Sequence, residues 1–190
     1  MNYLDFAGTV LSLIGTYFFV KADLRMWPTY ILAILINTTL YFNYSMYASV
    51  FREVIYLFMS VYGWIFWKTN TRSNNNKIYT LTVNNFLLIS LIYAILFFII
   101  FSSSTYYTDS KIPYLESIAV TTCFVAQILS SRKFIECWFA WLVADSLYVL
   151  IMLSQNLYFH SILYGCYLFM ALMGIYNWNK IKNTQKISAV

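Results

Sequence analysis

Residues 56–67 read YLFMSVYGWIFW, and residues 167–178 read YLFMALMGIYNW. The second stretch follows the first by 111 positions, and at that single shift Tyr56-Leu57-Phe58-Met59, Gly63 and Trp67 coincide with Tyr167-Leu168-Phe169-Met170, Gly174 and Trp178. Without a gap the same shift carries Tyr3-Leu4-Asp5 onto Tyr114-Leu115-Glu116, Lys21 onto Arg132, Trp27 onto Trp138, Ala33 onto Ala144 and Tyr47 onto Tyr158. Apolar composition alone scatters chance matches. It does not bring tryptophan, glycine and charge into one register. The chain is an internal duplication.

Composition says which solvent the duplicated units meet. Of 190 residues 61% are apolar, 21% aromatic and 10% charged, whereas a soluble domain carries about 25% charged residues. One buried core cannot absorb that excess, so lipid covers much of the surface; low-complexity disorder is excluded by the same figures. Seven apolar runs stand out, at Leu4–Val20, Trp27–Tyr44, Val50–Trp67, Leu81–Phe101, Tyr114–Ser130, Phe134–Leu153 and Phe159–Trp178. Each approaches the roughly 20 residues that a spanning helix needs, and continuous runs without strict alternation favour helices over barrel strands. The reading is an all-α integral membrane protein forming one domain. A first repeat occupies residues 1–68, a linker and connecting helix 69–112, a second repeat 113–179 and a basic tail 180–190. Three helices plus one connector give both triplets the same orientation, and such parallel repeats mark transporters with a site near the bilayer midplane. The first run lacks a basic n-region and a cleavage site, so it reads as a retained span.

Charge placement orients the chain. Lys21, Arg25, Lys68, Arg72, Lys77, Arg132, Lys133, Lys180, Lys182 and Lys186 fall on one side; Arg52 and Lys111 fall on the other. By the positive-inside rule the N-terminus is outside and the C-terminus cytoplasmic, and the basic tail anchors on the inner leaflet rather than on nucleic acid. The formal charge of +5 is accounted for in this way.

The sixth run carries the clearest polar signal. Trp138, Trp141, Asp145 and Tyr148 are spaced to share one helical face. Counted from Arg132 at about 1.5 Å per residue, Asp145 lies roughly 20 Å deep, near the middle of a hydrocarbon core of about 30 Å. A carboxylate there costs at least about 2.5–3.5 kcal/mol on insertion scales and by default marks function; hydrogen bonding to neighbouring helices is the structural alternative. Two indole rings one turn apart can sandwich a flat heteroaromatic cation. Asn37, the repeat mate of Tyr148, and Gln127 are further midplane candidates, and Tyr56 lies on the matching face of the third run. Glu53 reads as an entrance group or a solvated one. Gly63 and Gly174 read as packing contacts, and Trp27, Trp67 and Trp178 as an interfacial belt. Cys123, Cys137 and Cys166 lack ligand or CxxC spacing and read as small buried residues.

Enzyme signatures are missing from the sequence. A lone histidine, His160, rules out bis-His haem ligation and HExxH zinc within the chain. No nucleophile elbow, P-loop or dinucleotide fingerprint occurs, and no second deep catalytic group stands beside Asp145 for an intramembrane hydrolase. No cofactor and no metal are expected.

The stretches RMWPTYILAILINTTLYF, YGWIFWK, RKFIECWFAWLVADSLY and YGCYLFMALMGIYNWNK together resemble the PnuC family of bacterial vitamin transporters, across nearly the whole chain. The resemblance implies a seven-helix, three-one-three fold similar to SWEET sugar transporters, in the bacterial inner membrane. It implies import of nicotinamide riboside by facilitated diffusion, with thiamine or riboflavin as the substrates of relatives and a cytosolic kinase trapping the product without direct contact. It also implies that Trp138 and Trp141 line the substrate site, completed by polar groups such as Asn37, Gln127 and Asp145. Nicotinamide riboside and thiamine carry cationic rings suited to Asp145; riboflavin does not. A non-transporting scaffold or receptor subunit is the more distant alternative.

Overall fold

The computed structural model describes residues 3–43, 47–74, 77–107, 112–154, 156 and 158–187. Tyr44, Lys111 and the last three positions of the basic tail lie outside the described residues. The chain forms α1 (Tyr3–Val20), α2 (Met26–Asn43), α3 (Tyr47–Asn74), α4 (Val83–Tyr107), α5 (Pro113–Ser131), α6 (Cys137–Ser154) and α7 (Tyr158–Ile187). Each apolar run became one helix. α3 and α7 continue about two turns past Trp67 and Trp178, because Lys, Thr and Asn follow there without a Gly or Pro to stop the helix. Lys180 and Lys182 therefore extend α7 instead of forming an irregular tail.

The duplication is written into the backbone. α2 and α6 are related residue for residue by the shift of 111. The corners entering them match as well. Ala22 and Lys133 both take the left-handed conformation, at φ 52° and 57°. Ala22 N–H donates to the Phe19 carbonyl and Lys133 N–H to Ser130; Met26 N–H donates to Asp23 and Cys137 N–H to Phe134. All of these residues are repeat mates. Side-chain chemistry then distinguishes the two corners. In the first, Arg25 forks onto Asp23, with Nη2 2.7 Å from Oδ2, and holds its carboxyl below the usual range. In the second, the segment before α4 straps across: Tyr79 N–H donates to the Lys133 carbonyl, Ile135 N–H to the Tyr79 carbonyl and Leu81 N–H to the Glu136 carboxylate.

Six helices close a ring in which α1 packs on α2, α2 on α3, α3 on α5, α5 on α6, α6 on α7 and α7 on α1. Each repeat thus lends its third helix to the first helix of the other. Where α3 and α7 complete the ring, two indoles clasp the opposite half: Trp67 Nε1 donates to the Ser130 carbonyl and Trp178 Nε1 to the Phe19 carbonyl, each at 3.1 Å. Ser130 and Phe19 are repeat mates, so the clasp is reciprocal. Among the described residues α4 packs only on α5 and buries nothing in the ring, as its chargeless, uniformly apolar sequence predicts.

The tryptophans correct one expectation. Trp27, Trp67 and Trp178 form no belt at the membrane surface, since all three are fully buried. They gather on the axis with Trp138 and Phe19: Trp67 meets Trp178 at 6.0 Å, Trp178 meets Trp138 edge-on at 5.6 Å, and Phe19 stacks on Trp138 at 4.3 Å. Gly63 and Gly174 explain how indoles fit between helices. A Cβ on Gly63 would overlap the Trp27 ring, and one on Gly174 the Trp138 ring. Between spanning helices there is no water to expel, so close packing of this kind carries the association.

Candidate functional site

The ring encloses a cavity of about 290 Å³. All six ring helices line it and α4 does not. Its lining is itself duplicated. Nine pairs of repeat mates face it: Ser12/Cys123, Thr16/Gln127, Phe19/Ser130, Tyr30/Trp141, Ile34/Asp145, Asn37/Tyr148, Glu53/Tyr164, Tyr56/Tyr167 and Ser60/Ala171. The cavity therefore lies on the pseudo-twofold axis, and any difference within a pair is a local departure from symmetry.

Along each helix the lining residues recur every three or four positions, one face of an α-helix. From the corner end outward they form tiers. The floor holds Phe19, Ser130 and Trp138. Above it lie Tyr30 and Trp141, then Asp145 opposite Ile34 beside Gln127 and Thr16, and then Asn37, Tyr148, Tyr56 and Tyr167. Tyr164, Arg52 and Glu53 stand at the far end. All seven residues singled out from sequence, Trp138, Trp141, Asp145, Tyr148, Asn37, Gln127 and Tyr56, face this one space.

Asp145 is 5% exposed, and among the described residues no hydrogen bond or ion pair joins it to a neighbour. Tyr30, Tyr164, Tyr167 and Cys123 are near enough to feel its charge. Arg52 is the one cation among the lining residues, and it pairs with Glu53 through a single contact, Nη2 3.1 Å from Oε1. Glu53 is buried, so the solvated reading is replaced by an ion pair at the rim. Trp141 has its indole fixed, with Nε1 3.1 Å from Ser130 Oγ. Ser130 thus meets both indoles, Trp141 through its hydroxyl and Trp67 through its carbonyl. Tyr148 stacks on Tyr164 at 4.8 Å and 10°, and Thr16 Oγ1 lies 2.9 Å from the Tyr30 hydroxyl. Trp138 Nε1 and Ser60 Oγ, both on lining residues, are buried without a partner among the described residues. Each forfeits about 1–3 kcal/mol unless a guest supplies the missing bond.

The indole sandwich does not appear in this conformation. Phe19 stacks on Trp138 and Gly174 backs its fused ring, so neither ring face of Trp138 is free to stack on a guest. Trp141, half-buried, is the ring beside Asp145. Cys166 departs from the sequence reading as well: Cys123 and Cys137 are buried, whereas Cys166 is exposed on α7.

A cavity on the axis of a parallel duplication, inside a ring of apolar spanning helices, is the architecture of a carrier. Residues 2–180 match the family described as nicotinamide mononucleotide transporter. The chain belongs to that family. It is a multi-pass membrane transporter, not an enzyme. It is 24% identical to the nicotinamide riboside transporter PnuC of Escherichia coli (strain K12), over 94% of this chain and 85% of that protein, and equally to its Shigella flexneri counterpart. Its fold matches the crystal structure of the vitamin B3 transporter PnuC with a TM-score of 0.77 at 17% identity, covering 96% of this chain and 83% of that one. The family fold carries residues that sequence reasoning passed over. Tyr30, Thr16 and Ser12 were findable as repeat mates of Trp141, Gln127 and Cys123. Tyr164 and Tyr167 were findable in the same way, as repeat mates of Glu53 and Tyr56.

Proposed function

We propose that the chain imports nicotinamide riboside by facilitated diffusion across a bacterial inner membrane, with its N-terminus outside, and that a cytosolic kinase traps the product. The observation that carries the reading is Asp145, a carboxylate without a partner among the described residues on the axial cavity wall, one helical turn from Trp141. A pyridinium ring over an indole face gains cation–π attraction of about 2 kcal/mol or more where water is excluded, and the carboxylate compensates its charge. Trp138 Nε1 and Ser60 Oγ supply donors for an amide oxygen, while Asn37, Gln127, Tyr56 and Tyr148 offer hydrogen bonds to ribose hydroxyls. Names given to two relatives and to one solved neighbour support the vitamin; the geometry supports a flat cation.

The two repeats then rock about the axis. The reciprocal indole clasp is the inner gate, and the Arg52–Glu53 pair with the Tyr148–Tyr164 stack is the outer one. Ser130 joins site to gate, because a ring settling on Trp141 pulls on the hydroxyl of the residue whose carbonyl holds Trp67.

Uptake of labelled nicotinamide riboside into proteoliposomes tests the assignment, with thiamine and riboflavin as competitors. Uptake should level off at equal concentrations inside and out and collapse in Trp141→Ala. Stronger competition by thiamine would reassign the substrate to the other cationic vitamin. Equal uptake by wild type and Trp141→Ala would remove Trp141 from the site.

A further inference from the structure

A second space opens outside the ring, with no lining residue in common with the axial cavity. α4 leans on α5 and its backbone stands off from α3, and the three helices leave a cleft of about 400 Å³. Phe58 and Met59 of α3, Leu88 and Ile92 of α4 and Ile128 of α5 wall it with hydrocarbon. Polarity is concentrated at the corner end, where the exposed guanidinium of Arg132 meets the cleft beside Asn85. Neither of the ion pairs among the described residues involves Arg132.

We propose that this cleft binds one acidic phospholipid, with an acyl chain in the groove and the headgroup phosphate on Arg132. An apolar gap facing the bilayer meets lipid chains, and leaving it empty forfeits dispersion contacts along every wall. A cation at one end only sets the lipid's direction. That end is also where the chain collects its basic residues, the side on which acidic headgroups and basic pockets between spanning helices meet. Guanidinium matches phosphate through two parallel hydrogen bonds. The site is single although the fold is double. Lys21, the repeat mate of Arg132, turns its ammonium onto the Tyr17 hydroxyl, and α4 has no repeat mate to wall a second cleft.

The test uses the full chain reconstituted in vesicles of equal phosphatidylglycerol and phosphatidylcholine, extracted into mild detergent, with retained lipid counted by mass spectrometry. Wild type should keep one phosphatidylglycerol per chain, enriched about fivefold over phosphatidylcholine, the preference one basic residue gives at an anionic surface. Arg132→Gln should bring the two lipids to parity. Arg132→Lys should keep part of the preference, and Lys21→Gln all of it. Leu88→Trp, which fills the groove and leaves Arg132 intact, should release the lipid. Equal retention of both lipids by wild type, or an unchanged preference in Arg132→Gln, would overturn the proposal. So would a Leu88→Trp protein that keeps its lipid but loses self-association, since a second copy of the chain would then be what covers the cleft.

Discussion

Asp145 shows what one atom group asks of a membrane protein. Its carboxylate sits where hydrocarbon would reject it, and the fold answers with a walled cavity in place of a neighbouring cation. Asp145→Asn should therefore weaken binding of nicotinamide riboside more than tenfold, while a neutral isosteric riboside loses about two- to fivefold, as calorimetry in detergent would register; these are the factors for losing a charged and a neutral hydrogen-bond partner, about 1.5–3 against about 0.5–1 kcal/mol. Equal losses would assign Asp145 to structure. Sequence reached this residue because an ionisable group amid apolar neighbours is conspicuous, and it reached Trp141, Tyr148 and Asn37 by helical spacing and the repeat. It could not see that Phe19 would occupy the face of Trp138, since that contact joins α1 to α6 across the axis. Nor could it see Arg52 turn to Glu53, a rotamer choice made only once the rim is assembled.

Among the helices, two glycines decide how closely α2 meets α3 and α6 meets α7. Gly174→Ala would push Trp138 from its seat, and overpacking of this kind costs about 1–3 kcal/mol, read as a lowered melting temperature. Gly165→Ala on the same helix meets nothing within 4 Å and should not lower the melting temperature, since alanine favours a helix interior over glycine by about 0.5–1 kcal/mol. The strapped corner before α6 makes a different prediction. Lys133 is fully buried, its ammonium 4.4 Å from the Trp67 ring centre, and burial lowers its pKa from 10.5 to about 8. Between those values the unfolded chain holds a proton that the folded one has released, so stability rises with pH across that window and is reduced below it. The melting temperature of wild type should climb between pH 7.5 and 9.5 relative to Lys133→Met, and parallel curves would contradict the buried charge. Helix positions were legible throughout, because apolar runs of spanning length admit few other structures. The helical extensions past Trp67 and Trp178 were not, since polarity marks the end of the membrane and not the end of a helix.

For the molecule as a whole, the contact that each third helix makes with the first helix of the other repeat matters more than the count of spans. Each clasp crosses from one half to the other, so opening the ring at that end breaks two matched hydrogen bonds together. Trp67→Phe and Trp178→Phe should each speed exchange of substrate across loaded vesicles by a similar factor of about 5, as loss of one net hydrogen bond of about 1 kcal/mol implies; acceleration by only one of them would show that the halves do not move as equals. The repeat disclosed a duplication, but matching letters cannot tell which helix of the other half a third helix meets. One further consequence follows from placing Asp145 across from Ile34. A perfectly twofold chamber would hold its guest in either of two orientations, indifferent to which way round it faced. With the acid on a single side the chamber acquires a front and a back, and exchanging the two residues should turn the passenger about.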